Sequence, residues 1–335
     1  MSRPPVGQVL VGDAARVLRR LPAGSVDCVV TSPPYYQLRN YDHPKQLGHE
    51  PDVDGWVDEL RVVLRGLRRV LTPTGTLWLN LGDAFSRHDR YGAGPKSLLL
   101  GPERLALAML DDGWLIRNKI VWAKPNPMPA SVRDRLNTTW EPLYLAATQR
   151  RYFFDLDAIR RPHTSSRYAT RSAARVAKSR PGWAGPLAGA NDGLARLKAT
   201  GRPGHPLGKN PGDVWRIATS NYRGPVHATY PPALLDIPIL AGCPERVCAT
   251  CAEPWRRQPP RQRTHLAALG ELSPGCDCTS EWRPGIVLDP FIGSGTTAIA
   301  ATSHERDWIG IELNPAHAEA ARTRISQHQS QQRAA

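Results

Sequence analysis

The sequence predicts an α/β protein built on a mostly parallel sheet. Two observations carry this. Short runs of β-branched and aliphatic residues alternate with segments whose apolar residues recur every three or four positions. Several of the strand-like runs also end in a turn that opens a helix, the arrangement of parallel strands joined by crossover helices.

The elements follow in order. Gln8–Val11 reads as a strand ending at Gly12-Asp13, and Ala14, Val17, Leu18 and Leu21 share one face of the helix after it. Val26–Val30 is a second strand, rich in β-branched residues. It runs into Thr31-Ser32-Pro33-Pro34-Tyr35-Tyr36, where the prolines can neither continue a strand nor open a regular helix. The clearest helix has Trp56, Leu60, Val63, Leu64, Leu67 and Leu71 on one face, and Pro73 and Gly75 stop it. Thr76–Leu81 is a strand, Glu103–Leu110 a helix, and Ile116–Trp122 and Glu141–Thr148 are further strands. The pattern then breaks and returns with a strand at Gly285–Asp289, a helix from Thr296 and a strand at Trp308–Glu312. Asn314-Pro315 supplies an N-cap and a first-turn proline for the last helix, whose polar tail from Gln327 is expected to fray.

Composition bounds the rest. The 335 residues are 41% hydrophobic and 22% charged, which excludes wholesale disorder. No run approaches the ~20 apolar residues of a membrane helix, and Met1–Gln8 lacks the apolar core of a secretory signal, so a cytoplasmic chain is expected. The net charge is +14, and Arg150–Pro211 alone carries +10 of it. That concentration favours an anionic partner, nucleic acid first.

Three segments carry chemistry. Asp289-Pro290-Phe291-Ile292-Gly293-Ser294-Gly295-Thr296 joins a strand to a helix through glycines, which allow close backbone approach to a ligand at a helix start rich in free N–H donors. It is neither a phosphate P-loop nor a dinucleotide fingerprint. Glu312 ends the next strand, where a carboxylate can accept hydrogen bonds from ribose hydroxyls. Ser32-Pro33-Pro34-Tyr35 follows a strand at the edge where α/β folds bind ligands. Its prolines leave carbonyls rigidly aimed, suited to a substrate amino group, and Tyr35 offers a face on which a planar base could stack.

These segments together resemble the DNA amino-methyltransferases. Thr31-Ser32-Pro33-Pro34-Tyr35 is similar to their catalytic tetrapeptide, and Asp289–Gly295 to their S-adenosylmethionine loop. The catalytic loop precedes the cofactor loop, as in the circularly permuted β group. Gly12-Asp13, Ile120–Asn126 and His227-Ala228-Thr229-Tyr230-Pro231-Pro232 also resemble family blocks.

The resemblance implies a Rossmann-like class I methyltransferase sandwich with a seven-stranded, mostly parallel, permuted sheet. It implies a base flipped from double-stranded DNA beside Ser32, Pro33, Pro34 and Tyr35. Ser32 and the Pro33 carbonyl would accept from the exocyclic amino group. Asp13 and Glu312 would hold the adenosine of S-adenosylmethionine, while Asp289, Phe291, Gly293, Ser294, Gly295 and Thr296 would form the rest of that site. Ser at position 32 favours cytosine N4 over adenine N6. A non-catalytic DNA-binding protein on the same fold and an RNA methyltransferase stay open. A homodimer and a cognate restriction endonuclease are admitted as partners. Cytosine C5 chemistry fits poorly, because Cys28 sits within a core strand.

Cys248, Cys251, Cys276 and Cys278 form two close pairs separated by 24 residues, a spacing suited to structural zinc, whereas Cys243 reads as packing. The expected organisation is a catalytic part of the methyltransferase domain over 8–149 and a basic recognition region over 150–211. A return to the first domain spans 212–242, a cysteine-rich insert 243–282, and the cofactor part 283–326. Within the recognition region Arg160, Arg161, Arg167, Arg171, Arg175, Lys178 and Arg180 are spaced to follow a phosphate backbone, with Tyr168 and Trp183 interleaved.

Overall fold

The computed structural model describes residues 4–163, 205, 207–220, 222, 224, 229–259, 268–278 and 281–334. They fall into two compact units, one of residues 1–155, 212–256 and 273–335, the other of 156–211 and 257–272.

The larger unit holds the sheet. In chain order its elements are β1 (Gln8–Val11), α1 (Ala14–Leu18), β2 (Val26–Thr31), α2 (Val53–Val70), β3 (Leu71–Asn80), α3 (Gly101–Asp111), β4 (Leu115–Ala123), β5 (Trp140–Ala147) and β6 (Val214–Arg216). Then come α4 (Asp236–Gly242), β7 (Val247–Cys248), β8 (Trp282–Arg283), β9 (Ile286–Asp289), α5 (Thr296–Ser303), β10 (Asp307–Glu312) and α6 (Pro315–Ala334).

Eight strands, one more than the seven expected, lie in the order β1-β10-β9-β2-β3-β5-β4-β6, with short β6 added at the edge beside β4. Only β5 runs against its neighbours, pairing antiparallel with β3 and β4. The strand alternation sends side chains to opposite faces. On one face Val29, Leu77, Leu79, Leu288 and Ile309 meet α2 residues such as Trp56, Leu60 and Leu64. On the other, the Cys28 thiol reaches the Pro238 carbonyl of α4, and Trp78 stacks with Phe154. Cys28 is fully buried, as its place in a core strand requires.

Two boundaries differ from expectation. The helix ends at Val70, and Leu71 is extended and already pairs with Val26, so the Pro73–Gly75 segment belongs to a bulged strand start. The polar tail after Gln327 stays helical, because His328 and Gln332 both hydrogen-bond the Ser303 hydroxyl of α5. Asn314 caps α6 as predicted, accepting from the Ala316 N–H at 2.9 Å. Among the described residues no helix is long and apolar enough to cross a membrane.

The topology fixes where a ligand can sit. The crossover from β9 runs by α5 to β10, and the crossover from β2 runs by α2 to β3, in the opposite direction along the sheet. The β9/β2 boundary is therefore a switch point, and the crevice at its carboxyl edge lies between Asp289 and Ser32.

Among its described residues the smaller unit has a 3₁₀ turn at Asp157–Ile159 and a bridge between Arg161 and Lys209.

Candidate active site

Asp289 ties the two loops of the crevice together. It is 1% exposed, and its carboxylate accepts four hydrogen bonds. Oδ1 takes the Thr31 hydroxyl at 2.7 Å and the Phe291 N–H at 3.0 Å. Oδ2 takes the Tyr230 hydroxyl at 2.9 Å and the Thr297 hydroxyl at 2.5 Å. Burial pushes the Asp289 carboxyl above its ordinary range, against the pull of these donors. Burial, helped by the neighbouring carboxylate, also pushes the Tyr230 phenol well up, so it stays a donor. Thr31 immediately precedes Ser32, so this carboxylate holds the glycine loop to the root of the Ser-Pro-Pro-Tyr loop.

The glycine loop is shaped for close approach. Gly295 has φ +82°, and a Cβ there would come within 2.9 Å of Ile325. Ser294 and Thr296 are buried, and Arg324 donates to both hydroxyls and to the Ser294 carbonyl. What these two residues offer a ligand is therefore backbone. Glu312 reaches into the same loop: Oε2 accepts from the Gly293 N–H and Oε1 from the Asn314 N–H, both at 3.0 Å. Burial raises the Glu312 carboxyl. Asp13 lies on the neighbouring strand end, where Val11 pairs with Glu312, and it caps α1 through the Arg16 N–H at 2.8 Å. Phe291 is half-buried against the core.

The Ser-Pro-Pro-Tyr loop is pinned from below. The Trp56 indole donates to the Pro34 carbonyl at 3.0 Å, so only one of the two proline carbonyls keeps the freedom expected of both. Among the described residues the Pro33 carbonyl has no hydrogen-bond partner. Tyr36 buries its ring against Trp56 and Tyr91.

Tyr35 is held at its hydroxyl. Ser32 Oγ donates to it at 3.2 Å, and it donates toward Glu141 Oε2 at 2.9 Å or Asn80 Oδ1 at 3.1 Å. Asn80 donates to Glu141 Oε2 and to the Pro142 carbonyl, and Lys124 pairs with Glu141 Oε1. Burial and the Glu141 charge push the Tyr35 phenol well up, so it remains neutral. The ring packs on Gly82, where a Cβ would stand 2.4 Å from Cε2. Asn80, Glu141 and Arg324 do not emerge from the sequence as site residues, and Lys124 and Tyr230 emerge only as members of segments that resemble family blocks. The available signal was position: Asn80 closes an apolar strand and Glu141 opens one, both at the carboxyl edge of the parallel strands.

The cysteines also meet. The sulfurs of Cys248, Cys251, Cys276 and Cys278 all lie within 4.8 Å of one another. Cys248 sits on β7, paired with Trp282, and the chain turns back at Ala252, whose N–H bonds the Cys248 carbonyl. Cys243 is buried at the end of α4, outside the cluster.

Of the predicted DNA contacts, Arg167, Arg171, Arg175, Lys178 and Arg180, with Tyr168 and Trp183, lie outside the described residues. Arg160 is committed internally: Nε bonds Asp157 at 2.6 Å and Nη1 the Gly208 carbonyl. Arg161 and Lys209 are exposed.

Comparison with known proteins bears on these features. A family model for DNA methylases, of the N6/N4 methyltransferase type, matches residues 26–323. The type II methyltransferase M.XycI of Xanthomonas campestris pv. cyanopsidis is 32% identical over 335 residues, 94% of this chain and 86% of that protein. M.SfiI of Streptomyces fimbriatus is 50% identical over 165 residues, but these are 47% of this chain and 39% of that protein. The solved PvuII DNA methyltransferase, cytosine-N4-specific, shares the fold with a TM-score of 0.58 at 16% identity, over 97% of this chain and 92% of that one. A Thermus thermophilus protein described as a putative DNA modification methylase, solved with S-adenosyl-L-methionine, aligns with a TM-score of 0.52 at 22% identity, over 96% and 95% of the two chains.

Proposed function

The chain belongs to the DNA methylase family and is a DNA methyltransferase, and we propose that the amino group it methylates is N4 of cytosine. The observation that carries this reading is Ser32. Its single proton goes to Tyr35, so toward the crevice it presents only neutral acceptor lone pairs beside the Pro33 carbonyl. Those two acceptors suit the two hydrogens of an exocyclic amino group, which cytosine and adenine share, and the serine at position 32, which the family resemblance associates with cytosine N4, favours cytosine between them.

The residues fit S-adenosylmethionine as the methyl donor. The Gly293–Gly295 backbone, the start of α5 and the Glu312 carboxylate form one cradle, with Asp13 beside it. When bound, this cofactor supplies an electrophilic methyl on a sulfonium. Phe291 borders the loop, and Asp289 sets its position through the Phe291 N–H and Thr297. Ser32 and Pro33 orient the amino nitrogen, and Tyr35 lies beside the base. Positioning then provides much of the rate.

The strand order supports a circularly permuted class I fold: β9 and β10 come last in the chain yet lie between β1 and β2. Exposed Arg161, with Arg167, Arg171, Arg175, Lys178 and Arg180, is assigned to DNA phosphates.

The experiment is expression in a host lacking DNA methylation, followed by digestion to nucleosides and mass spectrometry. We expect N4-methylcytosine; N6-methyladenine would move the target to adenine. Unmodified DNA from an expressed, folded enzyme would overturn the function.

The four thiols suit structural zinc, since an all-sulfur, four-ligand set closes the coordination sphere. The purified chain is expected to carry about one zinc ion. Cys251→Ser and Cys276→Ser should each lose it and lower the melting temperature. Metal-free protein with unchanged melting, measured by atomic emission and calorimetry, would remove the metal site.

A further inference from the structure

We propose that Glu141 is the terminus of a proton relay that drains the methylated amino group through Ser32 and Tyr35. The inference rests on amino-group methylation as the reaction. As the amino nitrogen bonds the methyl group it becomes cationic and sheds a proton in the same step, and Ser32 alone is too weak a base to accept it at neutral pH.

The hydrogen bonds run in one direction. Ser32 Oγ donates to the Tyr35 hydroxyl at 3.2 Å, and that hydroxyl donates to Glu141 Oε2 at 2.9 Å. At the crevice end of this hydrogen-bond relay Ser32 Oγ keeps an acceptor lone pair, where the amino group would donate. At the far end stands a carboxylate whose second oxygen pairs with Lys124. Asn80 donates to Oε2 as well and holds the carboxylate in place.

Atoms and electrons balance along this path. The nitrogen lone pair forms the new bond to the methyl carbon, and the methyl–sulfur bond breaks with its electron pair left on sulfur. The nitrogen gives its proton to Ser32 Oγ, the Ser32 proton passes to the Tyr35 oxygen, and the Tyr35 proton passes to Glu141 Oε2. Glu141 ends as a neutral acid, Ser32 and Tyr35 are restored, and the proton leaves to solvent on turnover.

Stability does not explain the pair. Glu141 and Lys124 are only 16% and 17% exposed, and withdrawing two charges from water offsets most of their attraction. Their placement at adjoining strand ends, beside the phenol of the reacting loop, is accounted for by a proton acceptor held in place by its partner. Glu141 acts through Tyr35 and is a positioning and relay residue; it does not touch the base.

The test uses the full chain, chromosomal DNA from a methylation-deficient host and radiolabelled S-adenosylmethionine, under single-turnover conditions. Glu141→Gln keeps the shape and an acceptor oxygen but cannot take the proton. We expect its rate to fall at least about tenfold, with cofactor affinity within twofold of wild type by calorimetry. The solvent deuterium isotope effect on the wild-type rate should shrink in this variant, because the coupled proton transfers are interrupted. In a Tyr35→Phe background the same substitution should cost less than twofold, because the relay is already cut. A Glu141→Gln rate within twofold of wild type, an unchanged solvent isotope effect, or additive losses in the double variant would each overturn the relay and leave the methyltransferase assignment standing. Wild-type enzyme that transfers no methyl group would overturn both. Should Glu141→Gln fail to bind cofactor, the Glu141→Asp variant decides: recovery of rate and of the solvent isotope effect supports the relay, and recovery of binding without them overturns it.

Discussion

Replacing Ser32 by alanine is expected to lower the single-turnover rate of methyl transfer about 100-fold or more, with cofactor binding within twofold. The substitution deletes one of the two acceptors that orient the amino nitrogen. It also cuts the hydrogen bond that reaches the Tyr35 hydroxyl. The fold should tolerate it. The loop is held by other contacts: the Trp56 indole on the Pro34 carbonyl, the Tyr36 ring against Trp56 and Tyr91, and the Thr31 hydroxyl on Asp289. Ser32 is half-exposed, so its loss leaves no buried void of consequence. Quenched-flow incorporation of labelled methyl groups, paired with calorimetric titration of the cofactor, separates the two quantities. A rate within threefold of wild type would remove Ser32 from the reacting centre. The same measurement on Ser32→Thr should recover part of the rate, since a hydroxyl returns with one added methyl.

The contrast between what the sequence disclosed and what it hid has a physical pattern. The strands and α2 were legible because their signals are local: β-branched runs, an apolar stripe at helical spacing, a stop at Pro73–Gly75. The error at Leu71 is of the same kind, since a buried leucine satisfies a helix face and a strand start equally well, and pairing with Val26 decided it. The two loops were legible because each packs its chemistry into a few consecutive residues. Their coupling was not. Thr31 and Asp289 are 258 positions apart, Tyr35 and Glu141 are 106 apart, and Tyr230 and Asp289 are 59 apart. Such partners are chosen by strand order, which no local pattern encodes. Ser294 and Thr296 show the reverse case. The resemblance places both in the cofactor site without saying which atoms serve it, and Arg324 from the last helix takes both hydroxyls and leaves the backbone as the offering surface.

Asp289 is where that long-range coupling can be broken with one substitution. Its carboxylate touches no crevice surface of its own: it is 1% exposed and all four lone-pair positions are filled from within the protein. A direct ligand-binding role would predict loss of cofactor affinity alone. A scaffold role predicts more. In Asp289→Ala, three hydroxyls and the Phe291 N–H lose their common acceptor in the interior, where an unsatisfied polar group costs about 1–3 kcal/mol. Partial relaxation and entry of water make these losses less than additive, so a net destabilisation of about 2–4 kcal/mol is expected. Because Phe291 and Thr297 flank the glycine turn, its backbone should also lose its set, and cofactor affinity should fall at least about tenfold. Thr31→Val removes a single donor from the other side and leaves the cofactor loop's own bonds intact. It should cost about 1 kcal/mol and hardly alter cofactor affinity, yet slow transfer by letting the Ser-Pro-Pro-Tyr loop drift from the methyl group. Urea denaturation, cofactor calorimetry and single-turnover rates on the two variants give three independent readouts. Asp289→Ala with wild-type stability would refute the scaffold. Thr31→Val with a wild-type rate would show that the two loops hold their registry without this carboxylate.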